Sequence, residues 1–529
     1  QFMLSSTLPV RFALDFFGRD GLFEGDVLVA NDPYHGGGHL PDYNIFAPVF
    51  HDGEMVLMAS IQCHHADTGG GAPGGYNVDA PDIWAEGVRF PALKIFEKGV
   101  ERKDVTYMMR ATNNRTPTFL GDLRAQVGAA QIGVKRLGDI CRRYGNETVR
   151  AAVDYMIEYA KRRFKTEVAS WPDGVYESDT YVDHDPKGNK DIHVHCRITI
   201  KGSSITVDFT GSDDRPEIEA YSTFGNTRGY VVAQLAAMMD PDIPKNEGFF
   251  DSIDLIVPEG CCLNPPKGRS VAAGTHHPGT EVGEAIAKAL SKVVPERCCP
   301  QIYKMGMPTV IFGTNPRTNQ TFIDHSVDTF AAYCGAVKGQ DGWGAMNVSF
   351  GNLIRATAEI NESIFPVRQL ARDYDTDSGG AGEYRGNCGS IYRKQVLTPS
   401  TVYTYVVGKK YPMPGIAGGK PGSPNLLYVR AGAHGEDPGH RSEVGDLSER
   451  VLHEPGECYE YHYGGGGGWG DPLKRPAERV LDDVLDEYVS VDAARREYGV
   501  VLTGSLEDWT LAIDRSATER LRADMRARA

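Results

Sequence analysis

The 61 glycines of this 529-residue chain are gathered in clusters instead of being spread evenly. Four clusters stand out, at residues 36–38, 69–71, 379–382 and 464–468. Because they follow no collagen-like period, each cluster predicts a tight turn, or a loop in which the backbone lies close to a ligand or to another chain. The last cluster lies within YGGGGGWGDP, which lacks the lysine of a phosphate-binding loop, so we interpret it as a structural or interface loop.

The chain is too long for a single core, since domains usually hold about 100–200 residues. Changes in hydrophobic period along the chain predict a multidomain α+β fold with mixed sheets. The expected domains are an N-terminal metal-bearing domain (1–170), a central mixed α/β domain (171–370), a β-rich domain (371–474) and a helical tail (475–529). The first residue is Gln1 instead of Met, and we expect an upstream segment to precede it.

Helical periodicity is clearest between residues 121 and 164, where two apolar stripes are separated by Gly145. This pattern predicts a helical hairpin, with Gly145 ending the first helix and Asn146 as the N-cap of the second. Further helices are predicted over 226–239 and 280–293. Alternating runs such as HVHCRITI predict strands in the central and C-terminal parts of the chain.

The formal net charge of −15 argues against a nucleic-acid-binding protein, which needs a basic surface. No run of about 18 or more apolar residues is present in the sequence, so we expect no membrane-spanning helix. The ten cysteines form no CxxC pair, which favours buried thiols in a reducing compartment over disulfides or a cysteine zinc site. We therefore expect a cytoplasmic protein with no nucleic-acid or membrane partner.

Imidazoles and carboxylates cluster twice near the N-terminus, in NDPYHGGGHLPDYN and in HHADTGG. His39 and Asp42 follow a glycine run, and His64 ends the apolar stretch MVLMASIQC. A loop and a strand that bring these three side chains together would provide the ligands of a divalent metal and leave room for water or substrate. The alternative is that they cap turns or bond to the backbone. The ligand set suits zinc, manganese or iron.

Four further residues are candidate catalytic groups. His65 and Asp67 belong to the second cluster, and Glu86 and Arg89 lie in DIWAEGVRFP. Arg89 could pair with a carboxylate or a bicarbonate-sized anion, while Glu86 could act as a base or orient a metal-bound histidine. The alternative for this last pair is an ordinary surface ion pair.

A third pair of histidines lies in THHPGTEVG, just before a predicted helix. Here His276 marks either an anion site at a helix start or an ordinary helix entry with Thr280 as its N-cap. The serine-hydrolase motif G-x-S-x-G and the metalloprotease motif H-E-x-x-H are both absent from the sequence.

Eight ordered motifs resemble those of the hydantoinase B/5-oxoprolinase family, which includes large subunits of ATP-dependent acetone and acetophenone carboxylases. They are NDPYHGGGHLPD, HHADTGG, EGVRFP, GDLRAQVGAAQIGVKRL, DPDIPKNEGFF, VPEGCCLNPP, DSGGAGEYRGNCG and GGGGWGDP, and they span essentially the whole chain. The resemblance implies a divalent metal held by residues that match His39, Asp42 and His64. It also implies a further glutamate ligand in a segment upstream of Gln1.

The resemblance also implies a division of labour between subunits. ATP would be bound by a partner resembling hydantoinase A, and a small additional subunit is a further expected partner. The stretch GGYNVDAPDIWAEGVRFP favours the carboxylase branch, so the expected reaction joins bicarbonate-derived CO₂ to the phosphorylated enol of an acetone- or acetophenone-like ketone, giving a β-keto acid. Trp84, Phe90 and Phe119, or the partner chain, could supply an aromatic lining for the ketone.

Two alternatives stay open at this point. One is an ATP-dependent hydantoinase, 5-oxoprolinase or lactamase that hydrolyses a cyclic amide; the other is a scaffold subunit without a catalytic metal. The stretches at 275–283 and 340–367 depart from segments that many hydantoinase members carry, and this departure is a second reason to expect a carboxylase.

Overall fold

The computed structural model describes residues 6–77, 79–113, 115–116, 118–298, 304, 308–325, 334–344, 356–431, 442–445 and 449–528. Part of the 340–367 stretch therefore lies outside the described residues. The chain forms two compact units: the first comprises 1–180, 185–286 and 312–325, and the second comprises 181–184, 287–311 and 326–529. The predicted multidomain α+β class is confirmed. The four predicted domain boundaries stay a prediction.

The described residues contain twelve α-helices and twenty strands. The helices are α1 (Thr7–Phe17), α2 (Ile83–Glu86), α3 (Lys103–Asn113), α4 (Phe119–Tyr144), α5 (Asn146–Val168), α6 (Phe224–Met238), α7 (Glu247–Phe250), α8 (Gly279–Leu290), α9 (Ala358–Ile364), α10 (Ala477–Leu485), α11 (Val491–Tyr498) and α12 (Arg515–Arg528). The strands are β1 (Val27–Ala30), β2 (Asp42–His51), β3 (Glu54–His64), β4 (Leu93–Glu97), β5 (Val100–Glu101), β6 (Gly174–His184), β7 (Lys190–Lys201), β8 (Ser204–Asp208), β9 (Ile253–Ile256), β10 (Pro308–Asn315), β11 (Gln320–Asp324), β12 (Val367–Tyr374), β13 (Ser390–Val396), β14 (Ser400–Thr404), β15 (Leu426–Ala431), β16 (Ser442–Glu443), β17 (Glu449–His453), β18 (Cys458–Tyr463), β19 (Leu502–Thr503) and β20 (Ala512–Ile513).

The first unit is built on an antiparallel sheet with the strand order β3-β2-β1-β4-β5. Both faces of this sheet are covered. Val29 packs with Leu123 of α4 on one face, and Leu28 packs with Ala13 of α1 on the other. Burial on both faces explains why β1 reads as a continuous apolar run instead of an alternating one. The first unit also holds the sheet β6-β7-β8-β9, in which β8 and β9 run parallel.

The predicted helical hairpin is present as α4 and α5. Gly145 joins the two helices with a φ of 79°, a conformation that glycine adopts without steric cost. The expectation that Asn146 caps α5 is wrong, because the helix begins at Asn146 itself and Gly145 takes the cap position. The Asn146 side chain bonds instead to His51 at the end of β2, through its Oδ1 at 2.8 Å and its Nδ2 at 3.1 Å.

The second unit contains the antiparallel sheet β12-β13-β18-β15-β16 and the pair β14–β17. Tyrosines fill much of its core; Tyr392 and Tyr461, on paired strands, stack with their ring centroids 5.2 Å apart. The tail beyond residue 475 is helical as predicted, with the addition of the short hairpin β19–β20. Within the described residues, no helix combines the length and the apolar character needed to cross a membrane.

Four glycine-bearing segments of the second unit, 334–344, 378–389, 413–423 and 464–470, bond to one another through their backbones, and we call this assembly the glycine bundle. Gly380 donates to the carbonyl of Gly466 at 2.8 Å, Gly466 donates to Asn387 at 2.9 Å, and Gly468 donates to Lys420 at 2.9 Å. Residues 464–468 are all buried. The glycine run that resembled a phosphate loop therefore has a packing role in this unit.

A charged network in the second unit predicts a stability that falls at alkaline pH. Nδ1 of His462 lies 3.1 Å from Asp375, Nε2 lies 3.0 Å from Glu460, and Glu460 is also bonded to Arg393. Hydrogen bonds to Asp375 and Glu460 raise the pKa of His462 from 6.5 to about 9. The stabilisation is therefore complete below pH 6.5 and is lost as pH rises through 9.

Replacing Asp375 by asparagine is expected to lower the free energy of unfolding by roughly 2 kcal/mol at pH 6 and to have little effect above pH 9. Asp373→Asn is the matched control, because this aspartate lies two residues away on β12 and is exposed. Denaturant unfolding at several pH values measures the difference. Equal pH dependence in the Asp375 variant and the wild type would contradict the assignment.

Candidate metal centre

The loop between β1 and β2 positions His39 through a buried asparagine. Nδ2 of Asn31 donates to the carbonyls of Leu40 and Val88, each at 2.9 Å, and its Oδ1 accepts from the amide of Phe90 at 2.6 Å. These three bonds tie both ends of the loop to the segment that follows α2. Within the loop, Gly36 has a φ of 100°, which only glycine adopts readily. The side chain of His39 is consequently held in the interior and is fully buried.

A β-hairpin brings the other two predicted ligands together. Strands β2 and β3 pair so that Asp42 lies directly opposite His64. The turn of the hairpin is formed by Asp52 and Gly53, both with positive φ, which is the geometry that Asp-Gly favours in a two-residue hairpin turn. Cross-strand partners of this kind have neighbouring side chains on the same face of the sheet. The hairpin register, not the spacing in sequence, creates the site.

The structure brings the three predicted metal ligands together. Nδ1 of His39 lies 2.6 Å from Oδ2 of Asp42, and Nδ1 of His64 lies 3.4 Å from Oδ1 of the same carboxylate. One ligand atom from each residue falls within 4.8 Å of the others. Asp42 is buried, whereas 32% of the His64 side chain is exposed. The trio therefore has a closed side and an open side.

The electrostatics of the trio suit a cation. Despite its burial, Asp42 is ionised at neutral pH, because the neighbouring His39 and His64 lower its pKa to about 2. Partial burial lowers the pKa of His64, so its ring is neutral and keeps a lone pair at neutral pH. An ionised carboxylate with neutral imidazole is the donor set that zinc, manganese and iron accept in proteins. The residues present therefore fit a divalent metal.

Three further side chains surround the trio, and sequence reasoning had singled out only one of them, His276. The hydroxyl of Tyr76 lies 2.9 Å from Nε2 of His39, and its ring centroid lies 5.3 Å from that of His276 and 5.8 Å from that of His325. The ring of His325 also lies 5.4 Å from that of His64. We call Tyr76, His276 and His325 the aromatic wall.

The members of the aromatic wall are uncharged. Burial raises the pKa of Tyr76 above its ordinary value, so the phenol keeps its proton. Burial also lowers the pKa of His276 well below its ordinary value and that of His325 to about 3, so both imidazoles are neutral. Nε2 of His325 lies 3.0 Å from the carbonyl of Gly74 and must donate to it, which leaves the lone pair on Nδ1.

The expectation that Thr280 caps the helix that follows His276 is wrong, because that helix, α8, begins at Gly279.

His65 lies beside His64 in sequence, but its side chain occupies the opposite face. Its ring stacks on Tyr43 with a centroid separation of 4.2 Å, and its Nε2 bonds to Oε1 of Gln126 at 2.8 Å. Successive residues of a strand point to opposite faces, which accounts for the divergence of the two histidines. The geometry gives His65 a packing role between the sheet and α4, and its catalytic role stays a prediction.

Asp67 holds the glycine-rich loop that follows β3. Its Oδ1 accepts from the amides of Thr68 at 3.0 Å and Gly74 at 3.1 Å, and a guanidinium nitrogen of Arg115 lies 3.6 Å away. Burial raises the pKa of this carboxyl despite those donors. Because Gly74 and Tyr76 belong to the same loop, Asp67 positions the aromatic wall. A direct catalytic role for it stays a prediction.

Glu86 and Arg89 contact groups other than the trio. Oε2 of Glu86 accepts from Oγ of Ser270 at 3.0 Å and from the amide of Val271 at 2.8 Å. Arg89 lies 3.6 Å from Asp32, the residue whose side chain caps the turn at Pro33–His35, and 5.3 Å from the exposed Trp84 ring. These contacts place both residues in the packing around the loop that carries His39, and their predicted catalytic roles stay predictions.

The burial of Glu86 leads to a testable pH dependence. Burial raises its pKa from 4.5 to about 8, so the folded protein keeps a proton that the unfolded chain releases. The wild type should therefore lose stability as pH rises from 4.5 to 8. Glu86→Gln keeps the acceptor oxygen and removes the titration. The free energy of unfolding of this variant minus that of the wild type should therefore be about 2–4 kcal/mol larger at pH 8 than at pH 5.

Urea unfolding of the two proteins across this pH range measures that difference. Glu24→Gln, a change at an exposed glutamate of the same unit, is the control and should follow the wild-type curve. Parallel curves for wild type and Glu86→Gln would show that Glu86 is not held in its protonated form.

Known proteins similar to this chain include subunits named for a caprolactamase and for a hydantoinase. A family model described as Hydantoinase B/oxoprolinase matches residues 1–472. The chain is 32% identical to the beta subunit of the caprolactamase of Pseudomonas jessenii, covering 98% of this chain and 89% of that protein. It is 29% identical to a protein of Pseudomonas sp. strain NS671 that is named as the B component of a D-/L-hydantoinase, covering 95% and 85%.

More distant similarity extends to carboxylases. The acetophenone carboxylase delta subunit of Aromatoleum aromaticum is 27% identical, with 98% of this chain and 80% of that protein covered.

Among solved structures, that of the ATP-dependent caprolactamase from Pseudomonas jessenii superposes with a TM-score of 0.88 at 30% identity, covering 98% of this chain and 89% of that one. The similarity in sequence and in fold thus runs over nearly the whole chain.

Proposed function

Because this chain belongs to the Hydantoinase B/oxoprolinase family, we propose that it is the metal-bearing subunit of an ATP-dependent enzyme that hydrolyses a cyclic amide. The observation that carries the proposal is the convergence of His39, Asp42 and His64 in a chain similar over nearly its full length to a component of a caprolactamase. The relatives support this alternative better than the ketone carboxylase that the sequence motifs had favoured.

The trio would hold the ion, and its charge state suits that task. Asp42 supplies a negative charge at neutral pH, and the neutral ring of His64 supplies a lone pair at the open side of the site. A divalent ion bound there would act as a Lewis acid on the amide carbonyl and make water a better nucleophile. Nδ1 of His39 bonds to Asp42 and Nε2 bonds to the hydroxyl of Tyr76. An ion held by His39 would replace the bond to Tyr76 on Nε2, and the bond to Asp42 on Nδ1 would orient the ring.

The aromatic wall would position the substrate ring. The members of the aromatic wall, Tyr76, His276 and His325, are all neutral. They therefore offer flat polar surfaces to a substrate and add no charge beside the trio. The phenol of Tyr76 keeps its proton. If a bound ion takes the place of Tyr76 on Nε2 of His39, that proton would be free to be donated to an oxygen that becomes more negative during hydrolysis. The exposed edge of His64 leaves one route of access from solvent.

The chemical balance of the proposed step is simple. Water would add to the carbonyl carbon of the phosphorylated amide, the carbon–nitrogen bond would break as the nitrogen takes up a proton, and a second water would release inorganic phosphate from the acyl phosphate that remains. The product is a linear amino acid or its carbamoyl derivative. ATP would serve to phosphorylate the amide oxygen and would be bound by a hydantoinase A-like partner. Several relatives carry names that identify them as subunits, which supports such a partner.

The test uses the complex of this chain with its co-purifying ATP-binding partner. The complex is incubated with ATP, a divalent metal salt and each of three cyclic amides, namely caprolactam, a hydantoin and 5-oxoproline, and the ring-opened products and released phosphate are quantified. We expect ring opening that requires ATP and metal and that does not depend on bicarbonate. The matched reactions contain acetone or acetophenone with ¹⁴C-bicarbonate.

Incorporation of label into an acid-stable β-keto acid, without ring opening of any amide, would overturn the proposal in favour of the carboxylase. Ring opening by the ATP-binding partner alone would also overturn it, because the reaction would then not need this chain.

A further inference from the structure

The outward face of the β6–β7 pair carries a second cluster of metal-ligating side chains. Along β7, Ile192, Val194 and Cys196 are fully buried and form the core face of the sheet. The residues between them, His193 and His195, therefore lie side by side on the opposite face. This placement is fixed by strand alternation, so the two imidazoles are held in register without a loop to position them.

Asp179 of β6 meets both imidazoles. Its Oδ1 lies 2.7 Å from Nε2 of His193 and 2.9 Å from Nδ1 of His195, and one ligand atom from each of the three residues falls within 4.8 Å of the others. Hydrogen bonding to His195 and His193 lowers the pKa of Asp179, so the carboxylate is ionised at neutral pH. Nearby on the same face, Arg197 pairs with Glu177 at 2.6 Å, so that cation is directed to a different carboxylate.

We propose that Asp179, His193 and His195 form a second divalent-metal site that binds Zn²⁺. Two imidazoles and one carboxylate are a common three-residue zinc ligand set, with water in the fourth position. At Zn–ligand distances of about 2.0–2.1 Å, tetrahedral ligand atoms lie roughly 3.3 Å apart, so the observed 2.7 and 2.9 Å separations need to open by only about half an ångström.

The exposure of the cluster agrees with a site open to solvent. The Asp179 side chain is 51% exposed, and those of His193 and His195 are 30% and 20% exposed. An ion can therefore enter directly and keep a water ligand. The backbone of His195 is held by the hydrogen bond that its amide donates to Oγ of Ser212 at 3.1 Å, and Gly211 lies beside the residue. A ligand set on two paired strands loses little conformational freedom on binding, which favours affinity.

This site shares no residue with the trio of His39, Asp42 and His64, so the two can be counted separately. The experiment titrates Zn²⁺ into the full-length metal-depleted protein in competition with a chromophoric chelator. Four proteins are compared: wild type, His39→Ala/His64→Ala, His193→Ala/His195→Ala, and Glu177→Gln as the control on the same face. The thermal midpoint without metal is recorded for each protein to show that it is folded.

The wild type and the Glu177 variant are expected to bind two zinc ions, and each histidine double variant is expected to bind one. Asp179→Asn, which keeps the shape of the side chain, should weaken the second site on the order of 10–100-fold. If His39→Ala/His64→Ala does not fold, the zinc stoichiometry of the wild type and of the folded His193→Ala/His195→Ala variant decides the question, because only removal of the second site should lower the count from two ions to one.

Zinc stoichiometry unchanged by His193→Ala/His195→Ala would overturn the inference. A loss of zinc from His39→Ala/His64→Ala down to none would do the same, because the remaining cluster would then be unable to hold an ion by itself. Failure of the cyclic amide reaction leaves the inference intact, since binding at the outward face is measured without substrate or ATP.

Discussion

Replacing His39 by alanine is expected to release the bound metal and to lower ATP-dependent turnover of the complex on the order of 10³-fold or more. The imidazole is fully buried and would supply one of the three ligand groups. Its removal also leaves Asp42 with one imidazole partner fewer, so the pKa of that carboxyl should rise from its low value of about 2.

Elemental analysis of the purified complex measures the first effect, and initial rates at saturating ATP measure the second. His51→Ala is the matched control, because it removes an imidazole from the far end of β2, the strand that begins at Asp42, and there the ring bonds to Asn146. The control should keep its metal and most of its turnover. Full metal content in His39→Ala, or equal loss in both variants, would contradict the assignment of His39 as a ligand.

The types of side chain in the candidate site could be predicted from the sequence. Imidazoles and carboxylates clustered around His39 and His64 stood out because loops rarely concentrate so many ligating groups by chance. The helical hairpin and the helix at 224–238 could also be predicted, in their case from local periodicity. In both cases the information lies within a few residues of the feature that it predicts.

The register that assembles the site was beyond the reach of sequence. The Asp52-Gly53 turn is a readable hairpin signal, and strict pairing from that turn would place Cys63 opposite Asp42. A bulge between Val49 and Phe50 shifts the pairing by one residue and places His64 there instead. A shift of one residue turns every side chain to the other face, so the bulge decides which residue lies opposite Asp42.

The aromatic wall was hidden for a different reason. His325 lies in a segment more than 250 residues from His64 along the chain, yet their ring centroids are 5.4 Å apart. Nothing in the local sequence around Tyr76 or His325 distinguishes a site residue from a buried core aromatic. His65 lies next to His64 in sequence, but strand alternation places its ring on the opposite face, and its catalytic role stays a prediction.

Replacing Gly386 by alanine is expected to destabilise the second unit by about 3 kcal/mol or more, which corresponds to a fall in its thermal midpoint on the order of 10 °C. A Cβ atom at this position would lie 1.9 Å from the carbonyl oxygen of Gly466 and 2.5 Å from the carbonyl carbon. Both are backbone atoms of a buried segment, so no side-chain rotation can relieve the overlap.

The reason for glycine at this position is space, not backbone conformation. Gly386 has no positive φ, so alanine could adopt its dihedral angles without strain. The cost arises from the hydrogen bonds around Gly386, whose amide donates to the carbonyl of Gly380 at 2.9 Å. The amide of Gly380 donates to Gly466 at 2.8 Å, and the amide of Gly466 donates to Asn387 at 2.9 Å. Separating the segments to admit a methyl group would stretch all three hydrogen bonds.

Gly445→Ala is the matched control, because that glycine is exposed and, among the described residues other than its chain neighbours, no atom lies within 4 Å of its Cβ position. Thermal unfolding of both variants by calorimetry, with the wild type alongside, separates the loss of space from the general effect of replacing glycine. If Gly386→Ala unfolds at the wild-type temperature, the segments of the glycine bundle are not in backbone contact. If both variants lose stability equally, the loss comes from the general effect of replacing glycine by alanine and not from the close approach of the backbone segments.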